Sequence, residues 1–454
     1  MAIAPALPTT VDATLPPGPR WPILIQTILF GQYRPRLLPL LQRRHGDIFT
    51  IRMAPRSRRL VVLARPEDIK TVFTGPASVF HAGEGNVILG PIMGKHSVLL
   101  VDEAAHVRVR RLLMPAFHGA ALRGYQQVVA ELAEAEARRW PSGRAFASHD
   151  RMHALTLEVI LRVVFGVTDE ARLDALRPLV RRVVDIGPLI MLGWFYPNLQ
   201  RVGPWRRYMA IQQELDRLLY AEIAQRRTAT DLAERDDVLS RLLRTGAGAD
   251  GDGQDSDRAD ADGLTDGELR DQLVTLLLAG HETTATTLAW AFHDLARNPV
   301  RLRAAQRAAD EGNDEYLTAV VKESLRLHPV IYEVARRLTA PVEIAGYRLP
   351  AGAIVLPGIG LVQADERHHL HPREFRPERF LDGQPAANTW IPFGGGVRRC
   401  LGAGFAQMEA AVVLREVLTR FDLRPVHARQ ESSKARNITQ IPAGGARIVV
   451  TPRG

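Results

Sequence analysis

The sequence predicts a mainly α-helical chain with a minor β component (α+β), arranged around one long central helix. Three observations carry this. Thr265-Asp-Gly-Glu268 is a capping box, the run behind it is apolar on nearly all sides from Leu273 to Leu278, and Asn298-Pro299 stops it. Such a helix, 265–297, spans roughly 50 Å at 1.5 Å per residue. Helical patterns recur elsewhere at 35–45, 104–117, 120–140, 151–166, 169–185, 205–227, 233–244, 314–327 and from Cys400 to about Arg420. Alternating or β-branched runs are short: Asp47–Met53 and Arg59–Ala64 as paired strands, a β-rich stretch at 335–357, and a closing hairpin between Ile438 and Thr451.

Taken in order, residues 1–20 form a Pro-rich tail, and one domain is expected over 21–454. The tail lacks a charged start followed by a long apolar run, so neither a signal peptide nor a membrane anchor is expected. The apolar run Trp21–Phe30 is too short to span a bilayer, and a soluble, cytoplasmic, bacterial-type protein is the expectation. Pro66-Glu67-Asp68 opens a short helix. Residues 75–103 are rich in glycine and loops. Residues 187–197 form an apolar loop with three adjacent aromatics, read as core packing or as a greasy lid. Residues 245–263 are Gly/Ala/Asp-rich and read as a disordered acidic loop. Residues 366–388 are irregular and Pro-rich.

Composition excludes several functions. The 454 residues are 46% hydrophobic, enough for a large core, and the formal charge is +9. The positive charge is almost all arginine, scattered and paired with acids along helices, and no helix-turn-helix or zinc finger is legible, so nucleic acid is not the expected partner. Gly90-Pro-Ile-Met-Gly-Lys95 fails the phosphate-loop spacing, because Leu89 stands where the first glycine belongs. The 245–263 loop offers no calcium register. His281-Glu282 lacks the second histidine of a zinc protease, since Ala285 occupies that position. His368, His369 and His371 have the wrong spacing for a zinc site and read as surface residues.

Two stretches carry chemistry. Cys400 is the only cysteine, which rules out an internal disulfide and a cysteine-rich zinc site. It lies in Phe393-Gly-Gly-Gly396-Val-Arg398-Arg399-Cys400-Leu-Gly402, between a Gly-rich turn and a helix N-terminus. The helix end and the arginines favour its thiolate. Ala279-Gly280-His281-Glu282-Thr283-Thr284 places an acid and two hydroxyls inside an apolar helix, where they are costly unless used or hydrogen-bonded.

Phe-x-x-Gly-x-Arg-x-Cys-x-Gly matches at every fixed position the haem-ligand loop of the cytochrome P-450 family, and Ala-Gly-x-Glu-Thr resembles that family's oxygen-activation motif. Glu323-Ser-Leu-Arg326 and Arg379 of Pro377-Glu-Arg-Phe380 resemble its Glu-x-x-Arg network. The resemblance runs from about residue 15 to the end. It implies a triangular helical prism with a small β-subdomain and a haem b whose iron takes the Cys400 thiolate. Phe393, Gly396 and Gly402 shape that loop. His106, Arg110, Arg336 and Arg398 meet the haem carboxylates. Ala279 and Gly280 leave room for dioxygen, Thr283 holds the oxygen species and a water by hydrogen bonds, and Glu282 feeds protons.

The implied activity is insertion of one atom of dioxygen into an apolar small molecule of terpenoid, steroid or fatty-acyl type. Electrons come from an external ferredoxin or flavodoxin with its reductase. Arg108, Arg111 and Arg399 are expected to form a basic docking patch for that carrier. A haem-thiolate isomerase, dehydratase or peroxygenase would not need Glu282-Thr283, and a non-catalytic haem sensor would need the thiolate alone. Pocket-lining candidates fall in 82–100, 186–197, 274–283, 331–334 and around Ile438, with Asn86 and Glu333 as polar exceptions.

Overall fold

The computed structural model describes residues 15–54, 58–184, 186, 190, 197–247 and 263–453. The acidic loop, apart from its edges, and most of the 187–197 stretch and the N-terminal tail lie outside these residues. The long helix is present as anticipated. Its cap is reciprocal: Glu268 N–H donates to Thr265 Oγ1 (3.2 Å) and Thr265 N–H donates to Glu268 Oε2 (2.9 Å).

The helices are α1 (Ile23–His45), α2 (Pro66–Thr74), α3 (Ala82–Gly85), α4 (Gly90–Met93), α5 (Glu103–Leu113), α6 (Ala120–Ala137), α7 (Ser148–Val163) and α8 (Glu170–Val184). They continue with α9 (Gly203–Arg227), α10 (Val238–Ala247), α11 (Asp266–Arg297), α12 (Pro299–Glu311), α13 (Asp314–Leu327), α14 (Ile359–Gln363) and α15 (Ala403–Leu418). One large core joins α5–α11 to α12, α13 and α15, with Leu273, Leu277, Leu288 and Phe292 of α11 fully buried in it.

The strands are β1 (Ile48–Met53), β2 (Arg58–Leu63), β3 (Phe80–His81), β4 (Phe146–Ala147), β5 (Arg336–Leu338), β6 (Val342–Ile344), β7 (Tyr347–Leu349) and β8 (Ile354–Pro357). Toward the C-terminus come β9 (Phe421–Pro425), β10 (Ser433–Arg436), β11 (Thr439–Pro442) and β12 (Arg447–Pro452). The larger sheet has the order β1-β2-β8-β5-β3, with β2 and β8 parallel. Two smaller cores flank it.

Three differences from the sequence reading have local causes. Helix α1 begins at Ile23 rather than 35, with a break at Tyr33 (φ −127°, ψ 24°) before Pro35. The reading caught only the second half because proline tolerates the first turn of a helix, not its interior. Asn298-Pro299 ends α11 at Arg297 as expected, but Pro299 is also the first residue of α12, a helix that the reading missed. The tail is not one hairpin. β10 pairs with β11, while β12 joins β9 and β4. Alternation marks strands but does not name their partners.

Candidate active site

The cysteine loop is seated on α2. Gly396 has φ 63°, and a Cβ there would meet the Phe73 carbonyl oxygen at 1.9 Å. A Cβ on Gly395 would meet the Phe73 ring at 2.3 Å. Only glycine allows this approach and, at Gly396, the left-handed backbone. The loop then closes on itself, with Cys400 N–H donating to the Phe393 carbonyl (2.9 Å) and Arg399 N–H to the Gly396 carbonyl (3.1 Å). Gly402 is the cap of α15, and the Phe393 ring packs edge-on against Trp390. Protein atoms surround the Cys400 thiol, yet its surface remains accessible, so it borders an internal opening rather than packed core. Burial pushes this thiol up, and the Gly402 N–H, Arg110 and Arg399 only partly offset that. The expected thiolate preference therefore does not come from these groups alone.

Four cation-forming or donor side chains gather from three distant parts of the chain. His106 is buried on α5, and burial followed by the charges of Arg398 and Arg110 drives its imidazole down to about 4, so it is neutral near pH 7. Arg336 on β5 is only 6% exposed, with one hydrogen bond, to the Ala335 carbonyl (2.8 Å), and no carboxylate partner among the described residues. Desolvation and Arg398 lower it to about 10. Its neighbour Arg337 points instead to Glu84 (2.6 Å), which separates two residues that the sequence could not rank. Arg110 is half-buried one turn beyond His106, and its charge acts on Cys400. Arg398 reaches back to the Val98 carbonyl (3.1 Å), the Val101 carbonyl (2.5 Å) and Asp102.

On α11 the polar motif faces three ways. Thr283 Oγ donates to the Ala279 carbonyl one turn earlier (2.7 Å). Ala279 is exposed although Leu277 and His281 beside it are buried, so this edge of the helix borders an opening. Glu282 is buried on another edge, 3.0 Å from Thr439 Oγ1 and 3.7 Å from Arg436 Nε of the C-terminal hairpin. A Cβ on Gly280 would meet Ile160 Cδ1 of α7 at 2.8 Å, and Thr156 Oγ1 donates to the His281 carbonyl (2.8 Å). The missing side chain of Gly280 thus lets α7 and α11 pack closely, a role absent from the sequence reading.

The Glu323 network is complete. Arg326 grips Glu323 with two bonds (2.7 and 2.9 Å) and fills its remaining donors with the Gln363, Pro372 and Glu374 carbonyls. Arg379 Nε adds a third bond to Glu323 (3.0 Å). Glu323 and Arg326 are buried, and each charge is paired and hydrogen-bonded, as a buried charge must be.

A match to the cytochrome P-450 family extends over residues 15–446.

The chain belongs to the cytochrome P-450 family.

It is 48% identical over 446 residues to a cytochrome P-450 named 135A1 from Mycobacterium tuberculosis, covering 98% of this chain and 97% of that one. It is 46% identical over 447 residues to cytochrome P-450 135B1 of Mycobacterium bovis, covering 97% and 92%. Among solved structures, a retinoic acid-bound cyanobacterial CYP120A1 has a TM-score of 0.82 at 21% identity, covering 97% of this chain and all (100%) of that one. This likeness shows the fold. Cytochromes P-450 are monooxygenases that use a haem whose iron is bound by a cysteine thiolate.

The residues present fit that group. Cys400 supplies a sulfur at an opening, and the buried, carboxylate-free Arg336 beside Arg398 and His106 suits haem carboxylates. Among the described residues no group of three or more His, Cys, Asp and Glu could hold a metal, and none of the helices is long and apolar enough to cross a membrane. His369 is a correction to the surface reading: it is buried, with Nε2 3.0 Å from the Thr389 carbonyl. Asn86 and Glu333 are also engaged within the fold, Asn86 donating to the Leu99 carbonyl (3.2 Å) and Glu333 accepting from Arg34 (2.6 Å). Arg108 is half-buried and donates to Glu268 (2.7 Å), whereas Arg111 and Arg399 are exposed. The sequence reading missed Asp102, which organises the arginine cluster. A sequence offers no signal for it, because its partners lie about 20 and about 300 residues away.

Proposed function

We propose that this monooxygenase binds haem through Cys400, with His106, Arg110, Arg336 and Arg398 meeting the haem carboxylates, and oxidises an apolar small molecule of terpenoid, steroid or fatty-acyl type. The observation that carries the reading is that Cys400, in a loop matching the family's ligand loop, keeps an accessible side chain, as does Ala279 on a mostly buried stretch of α11. When bound, the haem supplies dioxygen cleavage and oxygen-atom transfer, and a thiolate ligand favours O–O scission.

The chain supplies the proton handling. Thr283 spends its one proton on the Ala279 carbonyl, so its lone pairs remain to accept from a water or a protonated oxygen at the opening. Glu282 holds a proton position at the far side of the same turn. The Thr439 hydroxyl is within reach of both Glu282 Oε1 (3.0 Å) and the Arg436 carbonyl (2.7 Å), and its single proton serves one or shares itself between them. Glu282 therefore has a donor that can be withdrawn, which suits a residue that must gain and release protons.

Electrons come in this reading from an external ferredoxin or flavodoxin, docking on the exposed Arg111 and Arg399. Arg108 contributes less, because Glu268 already engages it. The test is NADH consumption through a surrogate ferredoxin chain, coupled to a hydroxylated product from an apolar library prescreened by haem spin shift. Spin-shifting compounds that yield rearranged or dehydrated products without net oxygen uptake would replace the reading with an isomerase or dehydratase.

A further inference from the structure

Asp102 precedes α5 and is the carboxylate at the centre of the cation cluster. Its Oδ1 accepts from the Ala82 and Gly83 N–H groups (2.9 Å each) and from Arg398 Nη2. Its Oδ2 accepts from the Glu84 N–H (3.1 Å), and His81 Nδ1 lies 3.7 Å away. One side chain thus satisfies three successive backbone donors at the start of α3 and fixes the guanidinium of the cysteine loop. The fit on the α3 side is tight: a Cβ on Gly83 would meet the Leu100 carbonyl oxygen at 2.2 Å and Asp102 Oδ2 at 2.7 Å. The Val98 and Val101 carbonyls hold the rest of Arg398, so among the described residues its side-chain hydrogen bonds all run to 98–102. The segment is tied in turn to α11: Val98 N–H donates to Gln272 (2.9 Å), His96 N–H to Asp271 (2.9 Å), and Thr275 Oγ1 to Ser97 Oγ (2.7 Å).

The Asp102 charge also reaches past Arg398, opposing the lowering of both His106 and Arg336. Among the described residues its charge thus acts on all three groups, Arg398, His106 and Arg336.

We propose that Asp102 is a positioning residue for the cofactor: it aims Arg398 at a haem carboxylate and, through the same carboxylate, locks the 82–84 backbone, so that haem seating and the order of the 82–101 segment are one event. The inference rests on Arg398 being a haem-carboxylate donor. A carboxylate shared in this way transmits in both directions. Loss of the haem carboxylate leaves Arg398 held by Asp102 and the Val98 and Val101 carbonyls, and loss of Asp102 leaves Arg398 on those two carbonyls without the carboxylate that sets its aim, and the three N–H groups without their acceptor.

The test uses holoenzyme. Asp102→Asn is expected to transfer haem to apomyoglobin about tenfold faster, the equivalent of one lost charge-assisted hydrogen bond. It should raise the iron midpoint potential, because a negative charge near the haem is gone, and speed amide exchange at residues 82–84. Gly83→Ala approaches the same contact from the segment side without changing charge; it should speed haem loss and exchange while moving the potential less. Glu103→Gln, beside Asp102 but half-exposed and, among the described residues, with its side chain paired to His81, should leave haem loss and exchange at 82–84 as in wild type and, because solvent screens its charge, move the potential far less than Asp102→Asn. Wild-type haem loss, potential and exchange in Asp102→Asn, or wild-type haem loss in a folded Gly83→Ala, overturns the proposal. Arg398→Lys separates the two layers. If it loses haem faster while Asp102→Asn does not, the donor reading stands and the positioning role falls; if it retains haem like wild type, the donor reading itself is wrong.

Discussion

Glu282 Oε1 and Thr439 Oγ1 lie 3.0 Å apart, joining the centre of the long helix to the C-terminal hairpin across 157 residues of sequence. The hydroxyl is the adjustable partner of that carboxylate. Thr439→Val keeps the shape and removes the donor. Product formed per NADH consumed is expected to fall by about three- to tenfold, with haem content and the CO spectrum unchanged. Full coupling in this variant would remove Thr439 from the proton path.

The glycine of the same motif makes a different prediction. Gly280→Ala drives a methyl into Ile160 Cδ1, and overpacking of this kind costs about 1–3 kcal/mol. Ile160→Val deletes the clashing atom and should restore most of the loss in a double-mutant cycle read by urea unfolding. If Gly280→Ala keeps full stability and instead slows dioxygen binding, the glycine serves the ligand and not the helix contact.

Arg326→Ala removes the centre of a buried network, leaving the buried Glu323 with Arg379 and the Arg376 N–H in place of its two-bond guanidinium partner. A destabilisation of about 3–5 kcal/mol follows. The expected outcome is protein purified without haem. A variant with normal haem content and absorbance would refute it.

Glu409 on α15 yields a pH prediction. It is 1% exposed, its Oε1 has no hydrogen-bond partner, and burial pushes its carboxyl up to about 8, only partly opposed by Thr284. The folded state therefore holds this proton more tightly than the unfolded chain. The corresponding stability is fully present below the unfolded value of about 4.5 and is lost as pH rises through about 8. The loss is on the order of several kcal/mol. Glu409→Gln should flatten the fall in thermal midpoint between pH 5 and about 9, relative to wild type. Parallel profiles in the two proteins would show that Glu409 is not the group responsible.

Much of the site was legible because its signals are local. The cysteine loop, the Ala279–Thr284 motif, the Glu323–Arg326 pair and the capping box at Thr265 each lie within a dozen residues, and local spacing maps directly onto helix faces and turns. Helix α12 was missed for an equally local reason, since proline can stop one helix and start the next. The thiol of Cys400 shows the limit: neighbours in sequence suggested an easy thiolate, but burial, a property of the whole fold, opposes it.

The sequence by itself determined the family, the cofactor class and the place of most of the long helices, because short-range patterns of capping, periodicity and motif spacing survive without coordinates. Only the tertiary structure decided which of Arg336 and Arg337 turns inward, what the missing side chain of Gly280 makes room for, which strand Glu282 meets, and that Asp102 binds Arg398 and the 82–84 backbone together. These depend on side chains far apart in sequence converging in one place. No local pattern encodes that convergence, because it is set by the packing of whole helices and sheets against a common core.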